Sequence, residues 1–257
     1  MSESVEEMLV AAKQAAEAAA AVLMRHYGTD LDVRTKGDGS PVTEADEAAE
    51  KLIREQLAGQ FPRHGFYGEE GGAEGLDREV VWLVDPLDGT KSFVRRTGFF
   101  STQIAAMVRG ELAVGVSAAP AFRETAWASS ESPANLNGRP VVVREVTTLE
   151  HASISTGNIG SLARSDRWPA LGRILGRAER TRGYGDFCHY HMLAAGKVDA
   201  VIESDVNILD IAALTVIVRA AGGLVTDLEG NPIGLETTSV LAASPALHAL
   251  LLETLHG

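Results

Sequence analysis

The chain of 257 residues contains one cysteine, Cys188. A single thiol excludes an intrachain disulfide and a cysteine-built zinc knot. Positive charge is also short: the formal net charge is −12, which argues against a nucleic-acid backbone as a main partner. No run of about 18 apolar residues lacks a charge, so no membrane span is expected. The first residues show no basic start, apolar stretch and small cleavage site, so a cytoplasmic location is the expectation. The phosphate-loop pattern Gly-x-x-x-x-Gly-Lys, the nucleophile elbow Gly-x-Ser-x-Gly and the dinucleotide fingerprint Gly-x-Gly-x-x-Gly are all missing. Repeats, low-complexity tracts and flexible linkers are missing too. Net negative charge does not exclude a phosphorylated substrate, because a bound cation reverses the local field.

What is present is an apolar content of 45%, enough for a full core in one large domain or two packed lobes. Val5 to Tyr27 reads as an alanine-rich amphipathic helix, with apolar residues at Val5, Met8, Leu9, Ala12, Ala16, Ala19, Val22 and Leu23. Gly28 to Ser40 reads as a polar loop that includes Lys36, a residue able either to close over a site or to stay a plain surface lysine. Thr43-Glu44-Ala45-Asp46 fits a capping box opening a helix to about Ala58. Val80–Val84 reads as a buried strand, and Thr102–Val108 with Leu112–Ala118 as a hairpin turning at Arg109-Gly110. Pro140–Val143 reads as a further strand. The turn-rich stretch Ser132–Gly138 suggests a boundary between lobes 1–138 and 139–257. In the second half, His151–Ser155, Ala200–Ile202 and Gly223–Asp227 read as strands. Arg164–Arg177, Cys188–Ala195 and Leu209–Ala221 read as helices, giving a mixed α/β chain.

The chemistry-bearing segment is Asp85-Pro86-Leu87-Asp88-Gly89-Thr90, directly after the strand Val80–Val84. A buried strand that delivers two aspartates at its carboxyl end puts charge where sites form. Gly89 and Thr90 offer backbone N–H groups suited to phosphate. Gly68-Glu69-Glu70-Gly71-Gly72 is a second carboxylate-bearing turn, and Asp46 is a third candidate. Carboxylates about 4 Å apart repel by roughly 4 kcal/mol per pair at an effective dielectric near 20. A hard divalent cation removes that cost, and an all-oxygen ligand set selects magnesium, manganese or calcium over zinc. Two such ions suit phosphate-ester hydrolysis, which is extremely slow unaided.

Each residue also has a simpler reading. Asp85 and Asp88 suit a turn after a strand, Thr43 and Asp46 a capping box, and Asp210 the favourable amino end of a helix. Asp186 suits a helix cap, and Glu203 a solvated strand end. His189 and His191 point to different faces of a helix and make no zinc pair. Cys188 reads as a small buried hydrophobe, and Gly222-Gly223 as tight packing before a strand.

Asp85 to Thr90 resembles the signature of the inositol monophosphatase family. So do Gly68-Glu69-Glu70, the stretch Asp38 to Asp46, Asp210-Ile211-Ala212-Ala213, and Ala221-Gly222-Gly223-Leu224-Val225-Thr226-Asp227, all in family order. The resemblance implies a five-layer αβαβα sandwich, often dimeric, that hydrolyses small phosphate monoesters with two or three Mg2+ and is commonly lithium-sensitive. It implies Glu69, Asp85 and the Leu87 carbonyl at the first metal, and Asp85, Asp88 and Asp210 at the second. Gly89 and Thr90 would take the phosphate, while Glu69 and the Thr90–Asp46 pair would orient the attacking water. Leu209 stands where the family has tryptophan. Arg182-Gly183-Tyr184-Gly185-Asp186-Phe187 resembles the histidinol-phosphate phosphatase branch. Arg182, Tyr184, Asp186 and Glu203 are therefore expected to line the substrate pocket, with inositol 1-phosphate or a related sugar phosphate as the alternative ester.

Overall fold

The computed structural model describes residues 3–30, 33–35 and 41–257. Its helices are α1 Val5–His26, α2 Glu44–Gln60, α3 Thr90–Val94, α4 Ile159–Arg164, α5 Trp168–Arg177, α6 Asp186–Ala194, α7 Ile208–Ala220 and α8 Pro245–His256. The large sheet runs in the order Arg139–Pro140, Ser132–Leu136, Glu124–Ser129, Glu111–Ala119, Ser101–Val108, Val80–Asp88, Gly65–Gly68, Gly72–Glu74. The smaller sheet runs Arg180–Arg182, Ser153–Thr156, Ala200–Ser204, Ser239–Ala243, Leu224–Thr226.

Strand alternation sorts these elements into layers. Trp82, Val84, Ile104, Ala106, Val114 and Val116 face α1 and α2, where small residues such as Ala12, Ala16, Ala45 and Ala49 allow close approach. Their neighbours Val81, Leu83 and Ala105 face the opposite way, onto α6 and α7. Val201, Val225 and Val240 of the smaller sheet cover the far side of those two helices. Ile154, Ile202 and Leu241 pack outward against α4, α5 and α8. The result is the five-layer αβαβα sandwich. The ten buried residues of α7, spread all round the helix, follow from its place between two sheets. Among the described residues, no helix is long and apolar enough to cross a membrane.

Caps and turns follow local chemistry. Ser4 and Glu7 close a capping box on α1, and Thr43 and Asp46 do the same on α2. The hairpin turn places Arg109 at φ 52° and Gly110 at φ 85°, the left-handed pair of a two-residue turn matched to strand twist.

Several expectations need correction. Ser132–Leu136 is a strand of the large sheet rather than a break. Only Arg139–Pro140 pairs there; Val141 and Val143 then donate to Ala134 and to Ala221 as the chain crosses between layers. The helix expected over Arg164–Arg177 starts only at Trp168: Arg164 is the last residue of α4, which caps at Ser165, and Trp168-Pro169 starts α5 afresh. Within the expected polar loop, Val33–Thr35 pairs with Pro41–Thr43. Lys36 and Asp38 lie outside the described residues. The strand Ser239–Ala243 and α8 carried no recognised signal in the sequence, though Ser244-Pro245 is a helix start.

Candidate active site

The strand Val80–Asp88 lies inside the large sheet and extends through both aspartates. Its register against Ser101–Val108 shifts between Asp85 and Asp88, where Pro86 has no N–H to give the ladder. The irregularity turns the carboxylates out of the regular pleat. Asp85 Oδ1 accepts the Leu87 N–H at 2.9 Å, and Asp88 Oδ2 accepts the Ser101 hydroxyl at 3.2 Å. Asp210 arrives from the first turn of α7. Its Oδ2 accepts the Asn207 N–H at 2.8 Å and its Oδ1 the Asn207 side-chain amide at 2.9 Å. Asp210 thus does stand at the amino end of a helix, where it also closes a capping box with Asn207. The capping does not compete with ligation, since a carboxylate has about four lone-pair sites.

Potential ligand atoms of Asp85, Asp88 and Asp210 all lie within 4.8 Å of one another. Asp85 is buried, and its carboxyl is pushed well above the ordinary range by burial first, then by the charges of Glu69, Asp88 and Asp210 and a hydrogen bond shared with Glu69. Asp88 is pushed well up by burial, then by Asp186, Asp210 and Glu203. Burial, with Glu69 and Glu203 adding to it against the opposing Asn207 hydrogen bonds, lifts Asp210 to about 7. An all-oxygen cluster carrying this much unfavourable negative charge fits a hard divalent cation.

Around the cluster stand the other expected residues. Thr90 Oγ1 lies 3.1 Å from Asp46 Oδ1 and 3.0 Å from the Leu87 carbonyl oxygen, one proton serving two acceptors. Asp46 is itself buried, its Oδ2 accepting the Thr43 N–H at 2.8 Å and the Thr43 hydroxyl at 2.6 Å. The capping box therefore also aims Asp46 at Thr90. Gly89 has φ +86°, and a Cβ there would lie 2.5 Å from the Phe99 carbonyl oxygen, so glycine is required where the strand turns into α3. Glu69 follows Gly68, its N–H bonded to the Val84 carbonyl at 3.2 Å.

The C-terminal half places further expected residues near the cluster, close enough for the charges of Asp186 and Glu203 to raise Asp88. A cavity of about 450 Å³ is lined by Gly157, Asn158, Arg182, Tyr184 and Asp186, among others. Arg182 is exposed on its rim and donates to the Thr181 carbonyl at 2.6 Å. Tyr184 is half-buried, its N–H donated to Ser155 Oγ at 3.3 Å. Asp186 does not cap α6: the cap residue is Gly185, with no side-chain capping bond. Asp186 sits at φ 48°, a backbone that a short polar residue tolerates. Burial, then the charge of Glu203, raises its carboxyl to about 6 against the opposing pull of His189. Glu203 is no solvated strand end; it is 4% exposed, and its Oε2 receives the Tyr190 hydroxyl at 2.9 Å and faces His189 Nε2 at 3.1 Å. Leu209 is buried in the core between the sheets.

Sequence reasoning missed Glu50. It is buried on the inward face of α2, one turn beyond Asp46, and accepts the N–H groups of Glu70 and Gly71 at 2.7 Å each. A Cβ on Gly68 would fall 2.5 Å from the Glu50 carboxyl carbon, which explains the glycine before Glu69. An acidic residue inside the apolar stripe Ala45, Ala49, Ile53, Leu57 was the available signal. The contacts of His189 and Tyr190 with Glu203 were also not anticipated.

Residues 4–257 match the inositol monophosphatase family. The chain belongs to that family, a class of metal-dependent phosphatases acting on small phosphate esters. Within it, the chain is 36% identical to a histidinol-phosphatase of Streptomyces coelicolor, over 100% of this chain and 99% of the relative. It is 34% identical to a fructose-1,6-bisphosphatase/inositol-1-monophosphatase of Thermotoga maritima, over 88% and 87% of the two chains. Among solved structures, an extragenic suppressor protein suhB of Bartonella henselae superposes with a TM-score of 0.89 at 32% identity, covering 96% of this chain and 98% of that one.

Proposed function

We propose that the chain is a Mg2+-dependent phosphatase of L-histidinol phosphate, releasing L-histidinol and phosphate. The carrying observation is Asp186: a carboxylate on the cavity wall, raised to about 6 by burial and by the nearby charge of Glu203. No hydrogen-bond partner offsets that cost among the described residues, and a cationic amino alcohol would do so, whereas a neutral polyol would not. The histidinol-phosphatase relative supports the same reading.

In this reading Glu69, Asp85 and the Leu87 carbonyl would hold one ion, and Asp85, Asp88 and Asp210 the other. Bound there, the ions would supply Lewis-acid stabilisation of phosphoryl charge and acidify water. The Gly89 and Thr90 N–H groups hold phosphate oxygens. Thr90 directs its proton to Asp46, leaving a lone pair to accept from the attacking water and the Leu87 oxygen free to ligate; Glu69 takes the other side of that water. Hydrolysis joins the water oxygen to phosphorus as the ester oxygen departs in line and takes up a proton. Arg182, Tyr184, Asp186 and Glu203 form the alcohol side of the pocket. Residues 1–138 act as the lobe carrying most of the metal ligands, and residues 139–257 as the lobe completing the site.

The second reading, an inositol-1-phosphate or sugar-phosphate phosphatase, is favoured by the Thermotoga maritima relative. A panel of histidinol phosphate, inositol 1-phosphate, fructose 1,6-bisphosphate and adenosine 3′,5′-bisphosphate with Mg2+ separates the two. The highest kcat/KM is expected for histidinol phosphate; equal or better turnover of inositol 1-phosphate would reverse the assignment.

A further inference from the structure

A line of polar side chains, buried except at its outer end, runs from Glu124 at the start of the strand Glu124–Ser129 to Asp88, and the proposed mechanism does not use it. Glu124 Oε2 stands 3.3 Å from His191 Nδ1, and His191 Nε2 stands 2.8 Å from Ser117 Oγ. Gln103 Nε2 lies 3.1 Å from Ser117 Oγ and 2.7 Å from Ser101 Oγ, and Ser101 Oγ is 3.2 Å from Asp88 Oδ2. Ser101, Gln103 and Ser117 are wholly buried, on two neighbouring strands, and His191 descends onto them from α6. Five unbroken hydrogen-bond contacts therefore connect a partly exposed carboxylate to one in the acidic cluster.

The direction of each bond is fixed by its ends. With a cation held at the cluster Asp88 is ionised and only accepts, so Ser101 must give its single proton to Asp88 and accept from Gln103. The second amide proton of Gln103 goes to Ser117, whose own proton then goes to His191 Nε2. Nδ1–H of a neutral His191 completes the line to Glu124. Burial favours that neutral imidazole, and the hydrogen bond from His191 holds the Glu124 carboxyl below its usual range. Two acceptor-only ends require one group in the middle that donates both ways. A primary amide does this; a carboxylate or a hydroxyl does not. The orientation leaves Gln103 Oε1 buried without a partner. Turning the amide over would satisfy Oε1 but would leave the Nε2 protons without an acceptor and divert the Ser101 proton away from Asp88. An orphaned carbonyl inside the core, costing about 1–3 kcal/mol, is the mark of a network set by its site rather than by packing.

We propose that Ser101 and Gln103 are positioning residues for a divalent cation: the relay fixes the rotation of Asp88 so that Oδ1 is presented to the ion. The inference rests on the metal reading of the acidic cluster. Partners outside the ligand shell commonly control metal affinity about 10- to 100-fold. The test is calorimetric titration of metal-free protein with Mg2+ alone, for the wild type, Ser101→Ala, Gln103→Met and the double variant, with thermal melting of each metal-free protein. Met matches the size of Gln without adding charge. Each single variant is expected to weaken a Mg2+-binding step about tenfold, with Gln103→Met melting no lower than the wild type because the orphaned carbonyl is gone. The double variant is expected to bind no more weakly than the worse single one, because either change cuts the same line. Unchanged Mg2+ affinity in the single variants, or losses that simply add, would overturn the relay while leaving the metal site standing. Absence of Mg2+ binding by the wild type would overturn both.

Discussion

The two walls of the site are built on different principles. In the acidic floor, Asp85 and Asp210 are oriented largely by backbone N–H groups at a disrupted strand end and a helix capping box, while Asp88 accepts the Ser101 hydroxyl. The facing wall is held by side chains, with Glu203 fixed by His189 and Tyr190, while Asp186 rests on a left-handed backbone beside Gly185. A floor fixed largely by backbone geometry suits chemistry common to a whole family. Under the proposed function, a wall fixed by side chains would let the ester change by a few substitutions while the floor stays intact.

The contrast can be broken most severely at the floor. Asp85→Asn removes a ligand that the proposed function assigns to both ions. It is expected to lower kcat/KM by about 1,000-fold or more, roughly 4 kcal/mol, on every ester tested. Metal-free Asp85→Asn is expected to melt no lower than the wild type, since a buried carboxyl surrounded by like charge has been neutralised. Near-normal phosphate release by this variant would refute the assignment. Thr90→Ala tests the orienting hydroxyl: a loss of about 100-fold in kcat with KM little changed is expected from steady-state kinetics. A change confined to KM would assign Thr90 to binding alone.

A smaller effect concerns the cluster without metal. Asp210 and Asp186 are raised to about 7 and about 6, above the roughly 3.9 of an unfolded aspartate. Between about pH 4 and pH 7 the folded, metal-free protein therefore holds protons that the unfolded chain has released, and stability falls as pH rises through that window. Melting in a chelator is expected several degrees lower at pH 8 than at pH 5. Mg2+ is expected to stabilise the protein more at pH 8, because the cation favours the ionised carboxylates. A chelated protein with equal melting temperatures at both pH values would contradict this reading.

The acidic cluster was legible in the sequence because its carboxylates lie in short contiguous patterns: Asp85 to Thr90, the turn at Glu69, and Asp210 followed by Ile211-Ala212-Ala213. Ranges of the strongly periodic helices were legible for the same reason, with α1 and α2 ending within two residues of expectation. The remainder depends on contacts distant in sequence. Glu50 meets Gly71 across 21 positions and His191 meets Ser117 across 74, and no local pattern announces either. Ser132–Leu136 looked like a break because Pro133, Asn135 and Asn137 are turn formers. Near the edge of the sheet these residues are tolerated, with Pro140 on the outermost strand. Asp210 and Asp46 show why a simple reading and a functional one need not compete. Each closes a helix cap with some lone pairs and turns the others toward the site.

The division of labour between floor and wall is tested most directly by one ratio: kcat/KM for histidinol phosphate over that for inositol 1-phosphate, in the wild type, Asp186→Asn and Asp85→Asn. Loss of a charge-assisted hydrogen bond is expected to lower the ratio about tenfold or more in Asp186→Asn, whereas Asp85→Asn is expected to depress both esters and leave the ratio near the wild-type value. A wild-type ratio in Asp186→Asn, or a ratio shifted mainly by Asp85→Asn, would contradict the account.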